Sequence, residues 1–215
     1  DAVVTGGYHE LLVWNANDGK FIRNIPNMPQ RVHALKWHPD GKQLVVAGGT
    51  PGRIGEVRFV DFESGQVTRV LPRNGDVVLD IAFSPDGTRL ATAGADAMIR
   101  IYDMTSAEEK APQIFSSHSD WVYSIGWSAD GKRLASASRD KTAKFFDMEK
   151  SELLLTYSGH GSAVRGVAFA PNGAEVYSVG ADHKVHRWKS ENAQKSGEFG
   201  TGSESMRIGA TAGVC

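Results

Sequence analysis

The sequence predicts an all-β protein in which one four-stranded antiparallel unit is repeated along the chain. Three observations carry this. A phrase recurs as "WHPDGKQLVVAGG" (37–49), "FSPDGTRLATAGAD" (83–96), "WSADGKRLASASRD" (127–140) and "FAPNGAEVYSVGAD" (169–182), and its glycines Gly41, Gly87, Gly131 and Gly173 stand 46, 44 and 42 residues apart. A fixed period in that range marks a repeat architecture. Within each unit apolar residues alternate over short runs, which is the period of a strand rather than a helix. Gly-containing turns separate the runs, as they do between antiparallel strands.

The elements of one unit follow in order. The first strand reads "VHALKWH", "VLDIAFS", "VYSIGWS" or "VRGVAFA". One face carries the large pairs Leu35/Trp37, Ile81/Phe83, Ile125/Trp127 and Val167/Phe169; the other holds the small Ala34, Ala82, Gly126 and Ala168, with Lys36 and Asp80 as departures. Large against small suits sheets stacked face to face at close spacing. A turn with Asp40, Asp86, Asp130 or Asn172 before its glycine follows. His38 takes the slot of Ser84 and Ser128 and is expected to be a local turn residue. The second strand reads "RLATAG", "RLASAS" or "EVYSVG". A short turn holding Asp96, Asp140 or Asp182 leads to the third strand, "ELLVWN", "EVRFVD", "MIRIYD", "TAKFFD" or "KVHRWK". A fourth reads "FIRNI", "QVTRVL", "PQIFS" or "LLLTYS". Four such strands in about 44 residues describe a propeller blade.

About five units fill residues 1–199: a partial one at 1–28, then 29–73, 74–117, 118–159 and 160–199. The first begins at its second strand. The chain opens without Met, and the expectation is a piece of a longer protein. The tail 200–215 has two readings, the start of a next unit, which is favoured, or a closing strand for the first.

Composition excludes several classes. Lys and Arg number 24 against 25 Asp and Glu, for a net charge of −1, without the basic excess of a nucleic-acid binder. The one cysteine, Cys215, allows no intrachain disulfide and no Cys-based zinc site. Apolar runs such as "LLVW" fall far short of the ~20 residues of a membrane span, so no membrane insertion is expected. The compartment is left open between cytoplasm and periplasm. No cofactor or metal is expected. His183 and His186, in "HKVH", are read as turn and strand residues, not as ligands, because a metal needs three or more convergent groups.

At this point the residues resemble the WD40-repeat family, bacterial-type members included. The family signature is a Gly-His, an Asp in the turn between the second and third strands, and a Trp-Asp closing the third. Here Gly159-His160 and Ser117-His118 stand at the first position and Asp96, Asp140 and Asp182 at the second. Trp14-Asn15, Val60-Asp61, Tyr102-Asp103, Phe146-Asp147 and Trp188-Lys189 stand at the third. The resemblance implies a WD40 β-propeller, as an incomplete arc of a seven-bladed ring or a closed five-bladed one. It also implies a structural tetrad of His, Ser/Thr, Asp and Trp. The last unit has all four, His160, Ser178, Asp182 and Trp188. The fourth has His118, Ser136 and Asp140, with Phe146 unable to donate. The third has Thr92 and Asp96, with Asn74 or Gly75 near the His position, and its network is expected to be rearranged. Ser, His and Asp also spell a hydrolase triad, but the spacing of four between Ser/Thr and Asp recurs in three units, and a catalytic site appears once.

In the family the loops holding the His and Asp line the face that most often takes ligands. Mapped onto this sequence, the candidate partner-binding residues are Arg31, His33, Arg53, Trp121, Tyr123, Arg139 and Arg165. Arg, Trp and Tyr dominate binding hot spots. An acidic or phosphorylated peptide is the natural partner of such a face. Arg53 lies in an insertion, "AGGTPGRIGEVRF", four residues longer than its counterpart, read either as a flexible hairpin or as a recognition loop. The functional expectation is a non-catalytic scaffold for protein–protein contacts. The alternative is a regulatory or substrate-docking domain of a larger enzyme, kinase- or cytochrome-fused, whose catalytic part lies elsewhere.

Overall fold

A computed structural model describes residues 1–106 and 110–200 of the chain. Every regular element among them is a strand. The chain divides into two compact units, Asp1–Ile81 and Ala82–Cys215. Both readings of the tail at 200–215 concern residues that, from 201 on, lie outside the described ones.

The first unit opens with a three-stranded sheet in the order β1 (Ala2–Gly6), β2 (Glu10–Asn15), β3 (Phe21–Pro26). A four-stranded sheet follows: β4 (Arg31–Trp37), β5 (Gln43–Thr50), β6 (Ile54–Asp61), β7 (Val67–Val70). Their shared core is Leu11, Val13, Ile25, Met28, Leu44, Val46 and Val60.

The division between units falls inside β8 (Val78–Phe83), the edge of the sheet that continues as β9 (Arg89–Gly94), β10 (Ile99–Asp103) and β11 (Gln113–Phe115). Two more sheets keep chain order, β12 (Val122–Trp127) to β13 (Arg133–Ser138), β14 (Ala143–Asp147) and β15 (Glu152–Tyr157), then β16 (Val164–Phe169) to β17 (Glu175–Gly180), β18 (Lys184–Lys189) and β19 (Lys195–Gly200). Ala91 and Ala93 pack against Val122, Ile125 and Phe146. Ala135 and Ala137 pack in the same way against Val164, Val167 and Trp188. The small second-strand residues let the next sheet approach closely, and its large first-strand residues fill the space.

The turn after each first strand is a local hydrogen-bonded cage. Ser84 Oγ donates to Asp86 Oδ1 at 2.5 Å, and Asp86 Oδ1 accepts the Thr88 N–H at 3.0 Å. Ser128, Asp130 and Lys132 repeat this at 2.6 and 3.0 Å. His38 takes the same place with its ring: Asp40 N–H donates to His38 Nδ1 at 3.2 Å. The following glycines, Gly41, Gly87, Gly131 and Gly173, all have φ between 68° and 69°, the left-handed region that glycine enters without strain.

The insertion of the second sheet is a paired hairpin with contacts to the segment that follows the sheet. β5 and β6 stay paired out to Thr50↔Ile54, a bridge joins Gly55 to Asn74, and the Gly52 N–H donates to Asp76 Oδ1 at 2.8 Å. Close approach makes this possible: a Cβ on Gly48 would lie 1.8 Å from the Arg31 carbonyl oxygen. A Cβ on Gly41 would meet nothing within 4 Å. Gly41→Ala is therefore expected to cost about 1 kcal/mol, through φ alone, and Gly48→Ala more than ~3 kcal/mol, through backbone collision. Urea unfolding of the two variants checks the order.

Candidate functional site

The loops at one end of the sheets are held by buried polar chains. In the sheet β16–β19, His160 Nδ1 lies 3.0 Å from Asp182 Oδ2, and His160 Nε2 lies 2.8 Å from Ser178 Oγ. Trp188 Nε1 donates to the same hydroxyl at 3.1 Å. The Asp182 carboxylate only accepts, so His160 Nδ1 donates to it. In the neutral ring Nε2 then accepts the Ser178 hydroxyl proton, and Ser178 takes the Trp188 N–H on a lone pair. Asp182 Oδ2 also takes the Gly161 N–H at 2.9 Å. Burial pushes the Asp182 carboxyl up, but the Gly161 N–H and His160 outweigh it and hold it below its ordinary value.

The sheet β12–β15 repeats the chain without its indole. His118 bonds Asp140 Oδ2 and Ser136 Oγ, each at 2.7 Å. Phe146 fills the Trp place, fully buried against Phe115. Burial pushes His118 below its ordinary value and so favours the neutral ring. Asp140 is driven up by burial, yet Thr142 and His118 bring it down to about 2. In β9–β10 there is no such histidine. Asp96 pairs instead with Arg100, Nη1 to Oδ2 at 2.8 Å, and the buried Thr92 hydroxyl has no hydrogen-bond partner. Asn74 is engaged in its bridge with Gly55. In the first sheet Trp14 Nε1 donates to Thr5 Oγ1 at 3.0 Å, and His9, in the Asp place, lies 3.3 Å from the Met28 carbonyl oxygen through Nδ1.

Three stretches, residues 65–103, 109–147 and 151–189, match the family described as WD40, "WD domain, G-beta repeat". Together they cover more than half of the chain. The chain belongs to the WD40-repeat family. Its blades are those of a WD40 β-propeller. Over 121 residues it is 32% identical to a Drosophila pseudoobscura pseudoobscura "Protein LST8 homolog", covering 54% of this chain and 37% of that protein. It is 30% identical over 116 residues to the Bos taurus "Target of rapamycin complex subunit LST8", covering 53% and 34%. The "Meiotic recombination protein rec14" of Schizosaccharomyces pombe is 31% identical over 100 residues, covering 46% and 32%. These matches span about a third of the length of the curated relatives. A chain in the "Crystal Structure of Mitotic Checkpoint Complex" superposes with a TM-score of 0.80 at 24% identity, over 94% of this chain and 61% of that one.

In this WD40 chain the distances among Ser178, His160 and Asp182 are those of a catalytic triad, but the environment is not. Ser178 and Ser136 are fully buried, and Ser178 is closed between His160 and the Trp188 indole. No substrate reaches either hydroxyl. Among the described residues His160, Asp182 and His186 also bring one metal-ligating atom each within 4.8 Å of the others. An imidazole binds a metal along a lone pair in its ring plane. These two rings lie nearly parallel, with centroids 3.9 Å apart and 10° between planes, and both His160 nitrogens are occupied. The cluster suits proton sharing better than a shared ion. No helix among the described residues is long and apolar enough to cross a membrane.

The rim residues are displayed by a repeated bulge. Pairing of the first strand with the second slips between Val32 and Ala34, between Val122 and Ser124, and between Val164 and Gly166. The extra residues are His33, Tyr123 and Arg165, and a bulge re-aims the side chain it carries. In the second unit this assembles one cluster. Trp121 is 39% exposed just before β12. The Arg139 N–H donates to the Trp121 carbonyl at 2.8 Å, and the Arg139 guanidinium lies over the Trp121 ring, 5.2 Å from its centroid. Arg165 lies 4.4 Å over Tyr123. The two rings meet edge to face at 6.2 Å. Asp120 stands 3.7 Å from Arg139. In the first unit Arg31, His33 and Arg53 are exposed.

Tyr8 belongs with the first-unit residues and was missed. It is 65% exposed and accepts a bond from Gln30. It precedes His9 as Arg139 precedes Asp140, so the repeat alignment contained its signal.

Asp182→Ala removes the acceptor of a buried ring and is expected to cost about 2–4 kcal/mol. Trp188→Phe copies the neighbouring blade and is expected to cost less, about 1–2 kcal/mol. Chemical denaturation ranks them. The depressed Asp140 contributes stability that is complete above its unfolded value of 3.8 and is lost as pH falls toward 2. The stability gap between the wild type and Asp140→Asn is thus expected to shrink across that window.

Proposed function

We propose that this WD40 chain is a non-catalytic protein-interaction module that receives a protein or peptide on the cluster Trp121, Tyr123, Arg139 and Arg165. The observation that carries the reading is the pair of cation–aromatic stacks side by side, at 5.2 and 4.4 Å, on residues re-aimed to the rim. Each guanidinium lies over a ring, and a cation stacked in this way can still donate N–H groups to a ligand. Such a surface favours an acidic or phosphorylated segment, because both guanidiniums donate bidentately to carboxylate or phosphate. Relatives named as subunits of a target of rapamycin complex support a role in assembly. The buried serines support the absence of hydrolytic chemistry. Arg31, His33 and Arg53, with Tyr8, form the corresponding set of the first unit.

The test is binding of a phosphoserine peptide library and of its unphosphorylated copy. Trp121→Ala and Arg139→Glu are each expected to weaken capture about tenfold or more, and Lys132→Glu, in the opposite turn, to leave it unchanged. Equal capture by all variants contradicts the reading.

A further inference from the structure

The two guanidiniums of the Trp121–Tyr123 cluster are not equivalent. Arg165 lies over the Tyr123 ring, is exposed, and has no carboxylate partner among the described residues. Arg139 has one. Asp120 Oδ2 stands 3.7 Å from Arg139 Nε, with the acid 37% and the arginine 53% exposed. A guanidinium presents its N–H donors in a fixed fork. Asp120 takes up the Nε side of that fork, whereas Arg165 keeps all of it. The acid is also held where it stands. Its Oδ1 accepts the Trp121 N–H at 2.8 Å, and its main-chain carbonyl accepts from Ser138 Oγ at 3.1 Å. The counterpart in the preceding sheet, Asp76, accepts the N–H of its own successor, Val77, in the same way at 2.7 Å. One carboxylate oxygen therefore serves the loop, and the other is left to face Arg139. That second contact is particular to this blade. Asp76 has Ala95 where Asp120 has Arg139, and the last blade has Ser162 and Ala181 at the two places.

We infer that Asp120 determines the specificity of this cluster: its carboxylate keeps anionic groups off the Arg139 side, so that Arg165 receives the acidic or phosphorylated residue and Trp121 with Arg139 receives an uncharged neighbour. The inference rests on the reading of the cluster as the binding site. The argument is electrostatic. A phosphate or carboxylate that approached Arg139 along Nε would meet a fixed like charge, and like charges brought together at an interface select against a partner. Swinging Asp120 aside does not come free, because its Oδ1 and its carbonyl are both bonded to the loop. Two cations against one anion leave a single unmatched positive charge, at Arg165. The cluster thus matches one anionic group rather than two. Trp121, 39% exposed, supplies apolar surface beside it. The Asp120–Arg139 pair is solvent-exposed, so its influence is modest in size and screened by salt.

The test is capture of the phosphoserine peptide library and of its unphosphorylated copy, at low salt, by the full chain and four variants. Arg165→Gln is expected to abolish the preference for the phosphorylated copy. Arg139→Gln is expected to weaken capture of both copies while the preference survives. Asp120→Asn keeps an oxygen for the Trp121 N–H and removes only the charge. It is expected to raise capture of the phosphorylated copy about two- to fivefold, the size of an exposed ion pair. Glu149→Gln makes the same change in net charge in the opposite turn, beside Lys132, and is expected to leave capture unchanged. A preference that survives in Arg165→Gln or falls equally in both arginine variants overturns the inference and leaves the binding site standing. So does a gain in Asp120→Asn no larger than that in Glu149→Gln. A wild type that captures both copies equally overturns it as well, and one that captures neither overturns the binding site with it.

Discussion

An imidazole bonded to a carboxylate 22 residues further on ties the start of a blade to the turn between its middle strands. Each partner is a liability alone. A buried neutral ring with an unmet N–H costs stability, and so does a carboxylate withdrawn from water. Together, with a serine on the far side of the ring, they satisfy one another and fix the loop that leads into the first strand. Asp140 and Asp182 also accept the backbone N–H groups of Ser119 and Gly161, so the loop backbone is held as firmly as the side chains. The rim residues Trp121, Tyr123, Arg139 and Arg165 start from these anchored points.

The variants of this interaction explain how the blades differ. With Trp188 present, the chain runs unbroken from the indole N–H through Ser178 and His160 to the Asp182 carboxylate. With Phe146 in its place, the blade gives up one hydrogen bond and keeps the aromatic contact, Phe146 on Phe115 at 4.7 Å where Trp188 lies on Tyr157 at 4.7 Å. With no histidine, Arg100 crosses from the third strand to neutralise Asp96, and Thr92 is left unpartnered. The carboxylate has a cationic or imidazole partner in all three, His160, His118 or Arg100. The position opposite the Ser/Thr decides the rest: Arg100 pairs outward, Lys144 reaches toward Thr156 at 3.4 Å, and His186 turns inward to stack.

Much of this was legible in the sequence, because strand alternation and turn chemistry are local. The turn at Asp86 is written in five residues, and four copies of it give the period. His38 was readable as a turn residue because it replaces a serine at a known place. What escaped depends on pairing. A bulge is a slip between two strands, and nothing in "DWVYSIGW" says that Tyr123 rather than Val122 is the extra residue. Alternation gives the face on which His186 lies, but not that the His160 ring occupies that face. The glycines of 48–55 suggested looseness, whereas Gly48 serves close packing and Gly52 lends its N–H to Asp76. That contact is non-local, so composition carries no trace of it.

The account stands on the claim that the His–Asp pair is an energetic coupling and not two independent buried groups. A double-mutant cycle at His118 and Asp140 measures this directly, from the unfolding free energies of both alanine variants and the double variant. The account predicts a coupling of about 2 kcal/mol. Additivity within ~0.3 kcal/mol would contradict it.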